Sequence, residues 1–383
     1  MKVINALFSY NENLETANEV LEQNYTITGW AEALKRNNVE VIVLNRFHQN
    51  QVFTANNITY HFFKDNLPGI LKAWQIPFGY FKMIRKLDAD VIHLHQLTLS
   101  LQTLILRLLI PKKTAIIIQH HGGNPPGKIK RMVHNLFVGF ADGFFFTTIE
   151  QGDEWFMKKN FKKIFPVMEG STFFNYGNRN LKTSDVITKL EARKKTKMKG
   201  SPVFLWVGRL DENKDPITVL GGFEIFLEKY PEAELYMVYS ESKLEKAVVE
   251  KIKRSDLLKR QVTMIGNVAH EQIEFYYRGA DYFLLGSHYE GSGYALSEAI
   301  KCGCVPVVTD IPSFRMMTDN GKLGVLWQVG NKYSLVDAIA NCIKKPLQAE
   351  SEACKHFYQQ TLSFDAIAST AIKHYEAIIK NQL

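Results

Sequence analysis

Residues 287–303 read Ser-His-Tyr-Glu-Gly-Ser-Gly-Tyr-Ala-Leu-Ser-Glu-Ala-Ile-Lys-Cys-Gly. The apolar run Tyr282 to Leu285 before them predicts a strand, and the residues after Gly293 predict a helix that ends at Gly303. Where a strand passes through a glycine-flanked turn into a helix, free backbone N–H groups and the positive helix end meet at the turn. The stretch therefore predicts an anion site, at which Gly291 and Gly293 let a phosphate approach the main chain.

Two carboxylates bracket this turn. Glu290 precedes it, where its side chain would meet the hydroxyls of a bound sugar. Glu298 lies inside the predicted helix, where it would accept two hydrogen bonds from a ribose diol. The alternative for Glu298 is an acidic residue on a helix surface.

A second group of polar residues follows the predicted strand 202–208. Residues 207–216 read Val-Gly-Arg-Leu-Asp-Glu-Asn-Lys-Asp-Pro. Positioned cations stabilise the charge that grows on a diphosphate leaving group, and Arg209 and Lys214 suit that role. Arg engages phosphate oxygens in a bidentate manner, whereas Lys acts as a point charge. In isolation each residue also fits a surface cation, and the glutamate-flanked turn in the same half favours the diphosphate role.

Short apolar strands alternate with amphipathic helices in both halves of the chain, which is typical of βαβ units and parallel sheets. We expect a first domain over 1–175, a linker and solvated helix over 176–200, a second domain over 201–362 and a closing helix over 363–383. The predicted strands are 3–8, 39–44, 91–94, 115–118 and 143–147 in the first half, and 202–208, 234–239, 262–265, 282–285 and 305–308 in the second.

The composition fits a globular α/β protein. The 383 residues are 46% hydrophobic and 22% charged, which excludes disordered, low-complexity and collagen-like classes. The four cysteines all lie after residue 301, so a disulfide framework is excluded and a reducing compartment is favoured. The longest apolar stretch, 97–110, falls short of the roughly 20 residues of a membrane span, and no secretory signal follows Met1. We therefore expect a cytoplasmic protein.

The net charge of +8 is concentrated in one part of the first half. Residues 65–163 contain 14 Lys or Arg and 7 Asp or Glu, a difference of +7. Such a patch attracts a nucleotide, nucleic acid or an anionic membrane surface, or else is an ordinary solvated surface. Segment 67–86 mixes aromatic, aliphatic and basic residues as an interfacial element does, but Pro77 and Gly79 interrupt it, so a buried interdomain segment is the alternative. Nucleic acid is not expected as a partner, because no recognition motif accompanies the charge.

The two polar segments resemble the retaining nucleotide-sugar glycosyltransferases of family four, which have the GT-B fold. Glu290 and Glu298 match the family pattern of Glu, seven residues, then Glu, and Gly208-Arg209-Leu210 followed by Lys214 matches a second pattern. Further similarity occurs at 266–268, 280–281, 321–324 and in the closing helix at 364–375. The resemblance is strong from about residue 203 to the end and weaker before it. It implies two facing Rossmann-like doubly wound domains, with a C-terminal helix that crosses back to the first.

The resemblance also implies roles for single residues. Arg209 and Lys214 would bind the donor diphosphate, Glu298 the ribose and Glu290 the donor sugar. The implied catalytic set is Arg209, Lys214, Glu290 and His121, and the implied donor nucleotide set is Glu298, Gly208, Gly291, Gly293, Tyr294 and Ala295.

A histidine at the end of strand 115–118 completes the implied site. His121, which Gly122 follows, is the first candidate to face the cleft between domains, and His120 is the second. The alternative is a histidine that its neighbours cap at a strand end. His93 and His95, in the strand that begins at 91, are expected to be scaffold.

The chain departs from the family pattern in three loops, and other cofactor motifs are missing. The Gly-Gly loop after the first strand is replaced by Ser9 to Asn13, and Asp215 follows Lys214 where glycine is usual. The glycine usual after strand 235–239 is replaced by residues 240–242, Ser-Glu-Ser. No metal is expected, because the Asp88-Ala89-Asp90 pair leads into a strand and the Cys302 pair lacks a second ligand pair. The sequence contains no Walker loop and no G-x-G-x-x-G fingerprint, which argues against an ATPase and a dehydrogenase.

The function that the resemblance implies is transfer of a hexosyl group from a nucleoside diphosphate sugar to an acceptor hydroxyl, with retention at the anomeric carbon. The acceptor would be a glycan or a lipid-linked molecule in polysaccharide, glycolipid or other glycoconjugate biosynthesis. The location would be cytoplasmic, with peripheral contact to the inner membrane face as an added hypothesis. Two alternatives stay open, which are a nucleotide-sugar hydrolase or epimerase on the same scaffold and a non-catalytic partner subunit of a transferase.

Overall fold

The computed structural model describes residues 1–8, 10–67, 69–157, 161–171, 187–240 and 243–380, without the side chains of 137, 138, 270 and 271. The chain divides into two compact units. The first contains Met1–Thr172 together with Ser363–Leu383, and the second contains Phe173–Leu362.

The first unit is built on an eight-stranded sheet of order β3-β4-β2-β1-β5-β6-β7-β8. Neighbouring strands are parallel except for the antiparallel pair β3 and β4. The strands are β1 (Lys2–Leu7), β2 (Glu40–Phe47), β3 (Gln51–Ala55), β4 (Ile58–Lys64), β5 (Val91–Leu94), β6 (Ala115–Gln119), β7 (Gly143–Phe146) and β8 (Ile164–Pro166). The helices that accompany them are α1 (Ala17–Gln23), α2 (Tyr25–Arg36), α3 (Phe78–Leu87), α4 (Ser100–Leu109), α5 (Lys128–Val138) and α6 (Ile149–Phe156).

The second unit is built on a six-stranded parallel sheet of order β11-β10-β9-β12-β13-β14. The strands are β9 (Val203–Gly208), β10 (Glu234–Tyr239), β11 (Val262–Gly266), β12 (Tyr282–Leu285), β13 (Val305–Thr309) and β14 (Val325–Trp327). The helices are α7 (Lys189–Thr196), α8 (Pro216–Leu227), α9 (Glu245–Lys253), α10 (Asp256–Gln261), α11 (His270–Gly279), α12 (Tyr294–Cys302), α13 (Pro312–Met317), α14 (Lys332–Cys342) and α15 (Leu347–Phe357), followed by a π-helical turn, Tyr358–Leu362.

Among the parallel strands, the order reverses once in each sheet, and this reversal locates the ligand-binding edge. In the first sheet the order turns at β1 and β5, and in the second at β9 and β12. In doubly wound sheets, ligands bind beyond the carboxyl ends of the strands at such a switch point. The loops after β1, β5, β9 and β12 are therefore the places where functional side chains are expected.

The C-terminal helix α16 (Phe364–Lys380) belongs to the first unit, as the predicted fold class requires. It packs against α2 and β6. Its Tyr375 hydroxyl bonds to His93 Nδ1 at 2.6 Å, and its Ile378 fills the space over Gly143. A chain that leaves the second unit at Leu362 thus ends on the first sheet.

Helix α7 lies in segment 176–200, for which a linker and solvated helix were predicted. Residues 176–186 of that segment lie outside the described residues. The helix packs on α11. Lys189 and Arg193 each contact an oxygen of the Asp281 carboxylate at 2.8 Å, and the Val203 N–H donates to the same group. Asp281 therefore joins α7 to the start of the second sheet.

Segment 67–86 is partly buried in the first unit's core and partly exposed, with Ile70, Trp74 and Phe78 among its exposed side chains. Tyr80, Phe81 and Ile84 of α3 are buried, and the Tyr80 hydroxyl donates to the carbonyl oxygens of Leu7 and Leu44. None of the helices in the described part of the chain is long and apolar enough to cross a membrane.

Candidate active site

The first site loop follows β9 and carries Arg209 and Lys214. The Lys214 ammonium forms an ion pair with Glu290 Oε1, and the Ser287 hydroxyl donates to the same oxygen at 2.6 Å. The Lys214 and Glu290 side chains are only 14% and 12% exposed. The fold thus joins two predicted site residues that are 76 positions apart in the chain.

Asn213 fixes the geometry of this ion pair by tying the two loops together. Its side chain donates to the Tyr289 carbonyl at 2.9 Å and accepts from the Tyr289 N–H at 3.1 Å. Its own carbonyl accepts from the His288 N–H at 2.8 Å. A side chain that pairs with a backbone N–H and C=O holds the loop after β12 as a neighbouring strand would. No motif in the sequence predicts this role, because Asn213 contacts a loop that is distant in the chain.

Asp215 follows Lys214 with a left-handed backbone, φ 42° and ψ 56°. Glycine adopts this conformation without strain, and aspartate is among the few other residues that tolerate it. The Asp215 carboxylate also accepts the Thr218 N–H at 3.1 Å and caps α8, and it contacts His288 Nε2 at 3.0 Å. The departure from the family pattern at this position therefore keeps the backbone turn and adds a helix cap.

Arg209 lies at the carboxyl end of β9 with its side chain 53% exposed. Its Nε contacts Asp211 Oδ2 at 2.9 Å, while Asp211 Oδ1 accepts the Lys214 N–H at 3.0 Å. Asp211 thus orients the guanidinium and the Lys214 backbone together. Gly208 precedes Arg209, and a Cβ there would lie 3.2 Å from Trp206 and 3.4 Å from the Lys214 side chain.

Helix α12 begins immediately after Gly293, which has a left-handed backbone with φ 56°. A Cβ on Gly293 would meet Phe314 at 3.0 Å and the Met317 sulfur at 3.1 Å. Gly293, at the N-cap position, has no side chain with which to cap the helix, and the positive helix end lies at Tyr294 and Ala295. Gly291 lies in the same turn, next to Glu290.

Glu298 is buried, 5% exposed, and does not lie on a helix surface. It faces α11, where burial and the Glu298 carboxylate raise the pKa of the Tyr277 hydroxyl well above its ordinary value. Burial first and Glu298 second also raise the pKa of Tyr358. A carboxylate enclosed in this way is held in one orientation, as recognition of a diol requires.

Two adjacent histidines follow β6, and the structure separates them. His120 is buried, stacked on Phe146 with ring centroids 4.8 Å apart, and burial lowers the pKa of its imidazole to about 4. The His121 side chain is 34% exposed. His121 is therefore the more exposed of the two rings, and His120 lies in the core.

A carboxylate that sequence reasoning missed pairs with His121. Glu169, three residues after β8, forms an ion pair through Oε1 with His121 Nδ1, and its side chain is 7% exposed. On the other side of the ring, His121 Nε2 lies 3.0 Å from His95 Nδ1. Burial and the neighbouring His93 and His121 lower the pKa of His95 well below its ordinary value.

The histidine cluster continues inward to the C-terminal helix. His95 stacks on His93 with centroids 4.5 Å apart, and burial lowers the pKa of His93 to about 3. His93 in turn contacts Tyr375 of α16. His93 therefore has the scaffold position that the sequence predicted, whereas His95 contacts the candidate site residue His121.

The loop after β1, where the family pattern has glycines, lines a polar cavity of about 470 Å³ in the first unit. Arg46 of β2 holds its walls: it is fully buried, pairs with Asp65, and donates to the carbonyl oxygens of Phe8, Leu67 and Gly69. The cavity is lined by residues 10–14, Val20, Gln23, Asn24, Gly69 and Ile70.

Among the residues that the structure describes, no three His, Cys, Asp or Glu side chains are grouped so as to hold a metal ion. Cys302 and Cys304 are buried, and burial raises the pKa of both thiols. These thiols are protonated at neutral pH and are poor metal ligands there.

Two family descriptions match most of the chain. "Glycosyl transferases group 1" matches residues 188–361, and "Glycosyl transferase 4-like" matches residues 18–141. Both are descriptions of glycosyltransferases, and together they include both units. The chain belongs to the group 1 glycosyltransferases, and its fold is GT-B.

Curated relatives resemble parts of the chain. Mannosylfructose-phosphate synthase from Agrobacterium fabrum is 34% identical over 113 residues, 28% of this chain and 25% of that protein. GDP-mannose:cellobiosyl-diphosphopolyprenol alpha-mannosyltransferase from Xanthomonas oryzae pv. oryzae is 29% identical over 127 residues, 32% of each chain. The match thus spans about a quarter to a third of the length of these relatives.

Solved structures resemble the whole chain. Sucrose-phosphate synthase from Thermosynechococcus elongatus superimposes with a TM-score of 0.73 at 17% identity, over 100% of both chains. Anabaena HepE in complex with UDP and glucose superimposes with a TM-score of 0.67 at 14% identity, over 98% of this chain and 100% of that one. At these identities the similarity establishes the fold.

Proposed function

We propose that this protein is a retaining glycosyltransferase, which moves a hexosyl group from a nucleoside diphosphate sugar to an acceptor hydroxyl. The observation that carries the proposal is the buried Lys214–Glu290 ion pair at the switch point of the second sheet, beside the start of α12, whose N-cap residue is Gly293. It combines a cation for a diphosphate with a carboxylate for sugar hydroxyls. The family membership and the name of each relative above support this reading.

Each residue has one task in the proposed reaction. Arg209 and Lys214 bind the diphosphate and stabilise its negative charge as the bond between the anomeric carbon and the diphosphate oxygen breaks. Lys214 has three N–H donors and uses one on Glu290, so the others can reach phosphate oxygens. The start of α12 accepts a further phosphate oxygen at Gly293 to Ala295.

The sugar and the nucleoside are held by carboxylates. Glu290 accepts hydrogen bonds from hexose hydroxyls, and Glu298 accepts them from the ribose diol. The new bond forms between the anomeric carbon and the acceptor oxygen on the face that the diphosphate leaves. The acceptor proton passes to the departing diphosphate oxygen, so no protein nucleophile is required. This order of bond changes gives retention of configuration.

The proposed acceptor is a glycan, either free or linked to a lipid. The Xanthomonas relative is named for a cellobiosyl-diphosphopolyprenol acceptor, which is a lipid-linked glycan. The cavity beside β1 offers Asn11, Asn13 and Glu12, which can donate to and accept from sugar hydroxyls. Polysaccharide or glycolipid synthesis and peripheral attachment to a membrane belong to the same proposal.

Product analysis tests the proposal. The protein is incubated with UDP-, GDP- and ADP-hexoses, each with and without a polyprenyl-diphosphate-linked disaccharide. We expect nucleoside diphosphate release that depends on the acceptor, a product with the anomeric configuration of the donor, and the same rate in EDTA. Release of nucleoside diphosphate without an acceptor would indicate a hydrolase. Conversion of the donor sugar into its epimer would indicate an epimerase, and no reaction would indicate a non-catalytic subunit.

A further inference from the structure

Helix α5 turns its apolar side chains outward. Ile129, Met132, Val133 and Leu136 are 80%, 61%, 52% and 71% exposed. Their spacing of three and four residues places them on one side of the helix. A soluble helix normally buries such a stripe.

The opposite side of α5 is polar and anchored to the first unit. The buried His134 contacts the Leu97 carbonyl oxygen through Nε2 at 2.7 Å. Arg131 donates to the Glu154 carbonyl at 2.6 Å, and Asn135 donates to the Phe156 carbonyl at 3.1 Å. These hydrogen bonds hold the helix in the orientation that exposes the stripe.

Positive charge surrounds the stripe. Lys128 and Lys130 lie on either side of Ile129, both are exposed, and neither forms an ion pair with any described residue. Between Asp90 and Asp142 the sequence contains six Lys or Arg and no acidic residue. The helix therefore presents an apolar stripe and carries no acidic side chain of its own.

We propose that the outer face of α5, which is Ile129, Met132, Val133 and Leu136 flanked by Lys128 and Lys130, docks on an anionic lipid bilayer. An apolar helix stripe sinks to the boundary of headgroups and acyl chains, while flanking lysines reach anionic headgroups. Because α5 contains no acidic side chain, the helix itself adds no repulsion toward such headgroups. The two features together match a charged lipid surface better than a nucleic acid, which has no apolar face for the stripe.

This surface differs from segment 67–86, for which membrane contact was predicted. That segment buries Tyr80, Phe81 and Ile84. Its large exposed apolar side chains are Ile70 and Trp74 in the loop before α3 and Phe78 at the first position of α3. The α5 surface rests on the peripheral membrane attachment proposed above and assigns it to one helix. Vesicle binding is measured without nucleotide sugar, so its failure would leave the proposed sugar transfer standing.

Vesicle sedimentation of the full chain tests the α5 surface. The vesicles are phosphatidylcholine alone, or phosphatidylcholine with phosphatidylglycerol, at low and high salt. We expect sedimentation with the anionic vesicles, reduced at high salt. The paired substitution Ile129→Ser and Leu136→Ser should lower the partition coefficient at least about tenfold. Reversal of charge by Lys128→Glu and Lys130→Glu should lower it by a similar factor of about ten.

Controls separate docking from other effects. Leu190→Ser removes a leucine of similar exposure, 64%, from α7 of the second unit and should leave sedimentation unchanged. Equal melting temperatures exclude unfolding of the α5 variants. Absence of sedimentation with wild type, equal binding to neutral vesicles, or loss only with Ile70→Ser and Trp74→Ser would overturn the proposal. A wild-type dimer that the α5 variant abolishes, without vesicle binding, would overturn it too and assign the surface to a second copy.

Discussion

At the residue scale, the Lys214–Glu290 ion pair is the centre of the proposed chemistry. Lys214→Ala removes the cation that would stabilise the leaving diphosphate and takes the ion-pair partner from the Glu290 carboxylate, which is 12% exposed. We expect kcat to fall by a factor of about 100 to 1,000, the usual loss for one preorganised charge-stabilising group. Initial rates of nucleoside diphosphate release measure it, and Lys243→Ala, an exposed lysine of the same unit, is the control. A rate within a few-fold of wild type would remove Lys214 from the mechanism.

Glu169 is expected to act through His121 and not on the substrate directly. The carboxylate holds Nδ1 of the ring, so Glu169→Gln should lower kcat/KM in the wild-type background but have little further effect after His121→Ala. This double-mutant cycle is measured by steady-state kinetics. Equal losses in both backgrounds would show that Glu169 acts independently of His121.

Sequence reasoning identified residues whose neighbours in the chain already carry a pattern. Glu290 and Glu298 lie in one loop and the helix that follows it, so their spacing can be recognised from the sequence alone. Asn213 and Glu169 have no such signal, since each acts on a residue that only folding brings near. The pairing of Lys214 with Glu290 likewise follows from β9 lying beside β12.

At the element scale, the start of α12 depends on Gly293. Gly293→Ala places a Cβ against Phe314 and Met317 on a left-handed backbone, and the left-handed conformation alone costs roughly 1–2 kcal/mol. We expect lower stability and weaker nucleotide binding. Gly330→Ala is the matched control, because Gly330 has φ 70° and open space around it. Melting temperature and nucleotide titration measure the two effects, and equal binding by both variants would argue against a phosphate at this helix end.

The elements of the α/β pattern could be predicted well, and the edges of the sheets could not. Strands β5, β10 and β12 have the predicted bounds, since central parallel strands are short continuous apolar runs. The hairpin of β3 and β4 was missed, although Asn56 and Asn57 at its turn, with φ 52° and 58°, are residues that such turns favour. Edge strands are half-exposed, so their apolar signal is diluted.

At the scale of the molecule, the buried histidines of the first unit make stability depend on pH. The pKa of His120 is lowered to about 4 and that of His93 to about 3, both mainly by burial. Below about pH 6.5 the unfolded chain binds protons that the folded chain does not, so stability falls as the pH drops toward 4. His120→Phe should reduce the difference in urea midpoint between pH 7 and pH 5. An unchanged difference would contradict a neutral, buried His120.

Both units have one switch point, and each places its polar loops at the carboxyl edge of a parallel sheet. The second unit carries Arg209, Lys214, Glu290 and Glu298. The first unit, taken by itself, carries His121 with Glu169 and the cavity beside β1. The proposed glycosyl transfer therefore depends on whether the second unit binds a nucleoside diphosphate.

A thermal-shift panel of UDP, GDP, ADP and their hexose conjugates, on wild type, Lys214→Ala and Glu298→Gln, tests this claim most directly. A ligand that binds only the folded state stabilises it by about 2.7 kcal/mol at one hundred times its dissociation constant. We expect one nucleotide to raise the melting temperature of wild type. In each variant, the shift from the variant's own ligand-free melting temperature should be much smaller. No shift with any nucleotide, or equal shifts in wild type and variants, would contradict it.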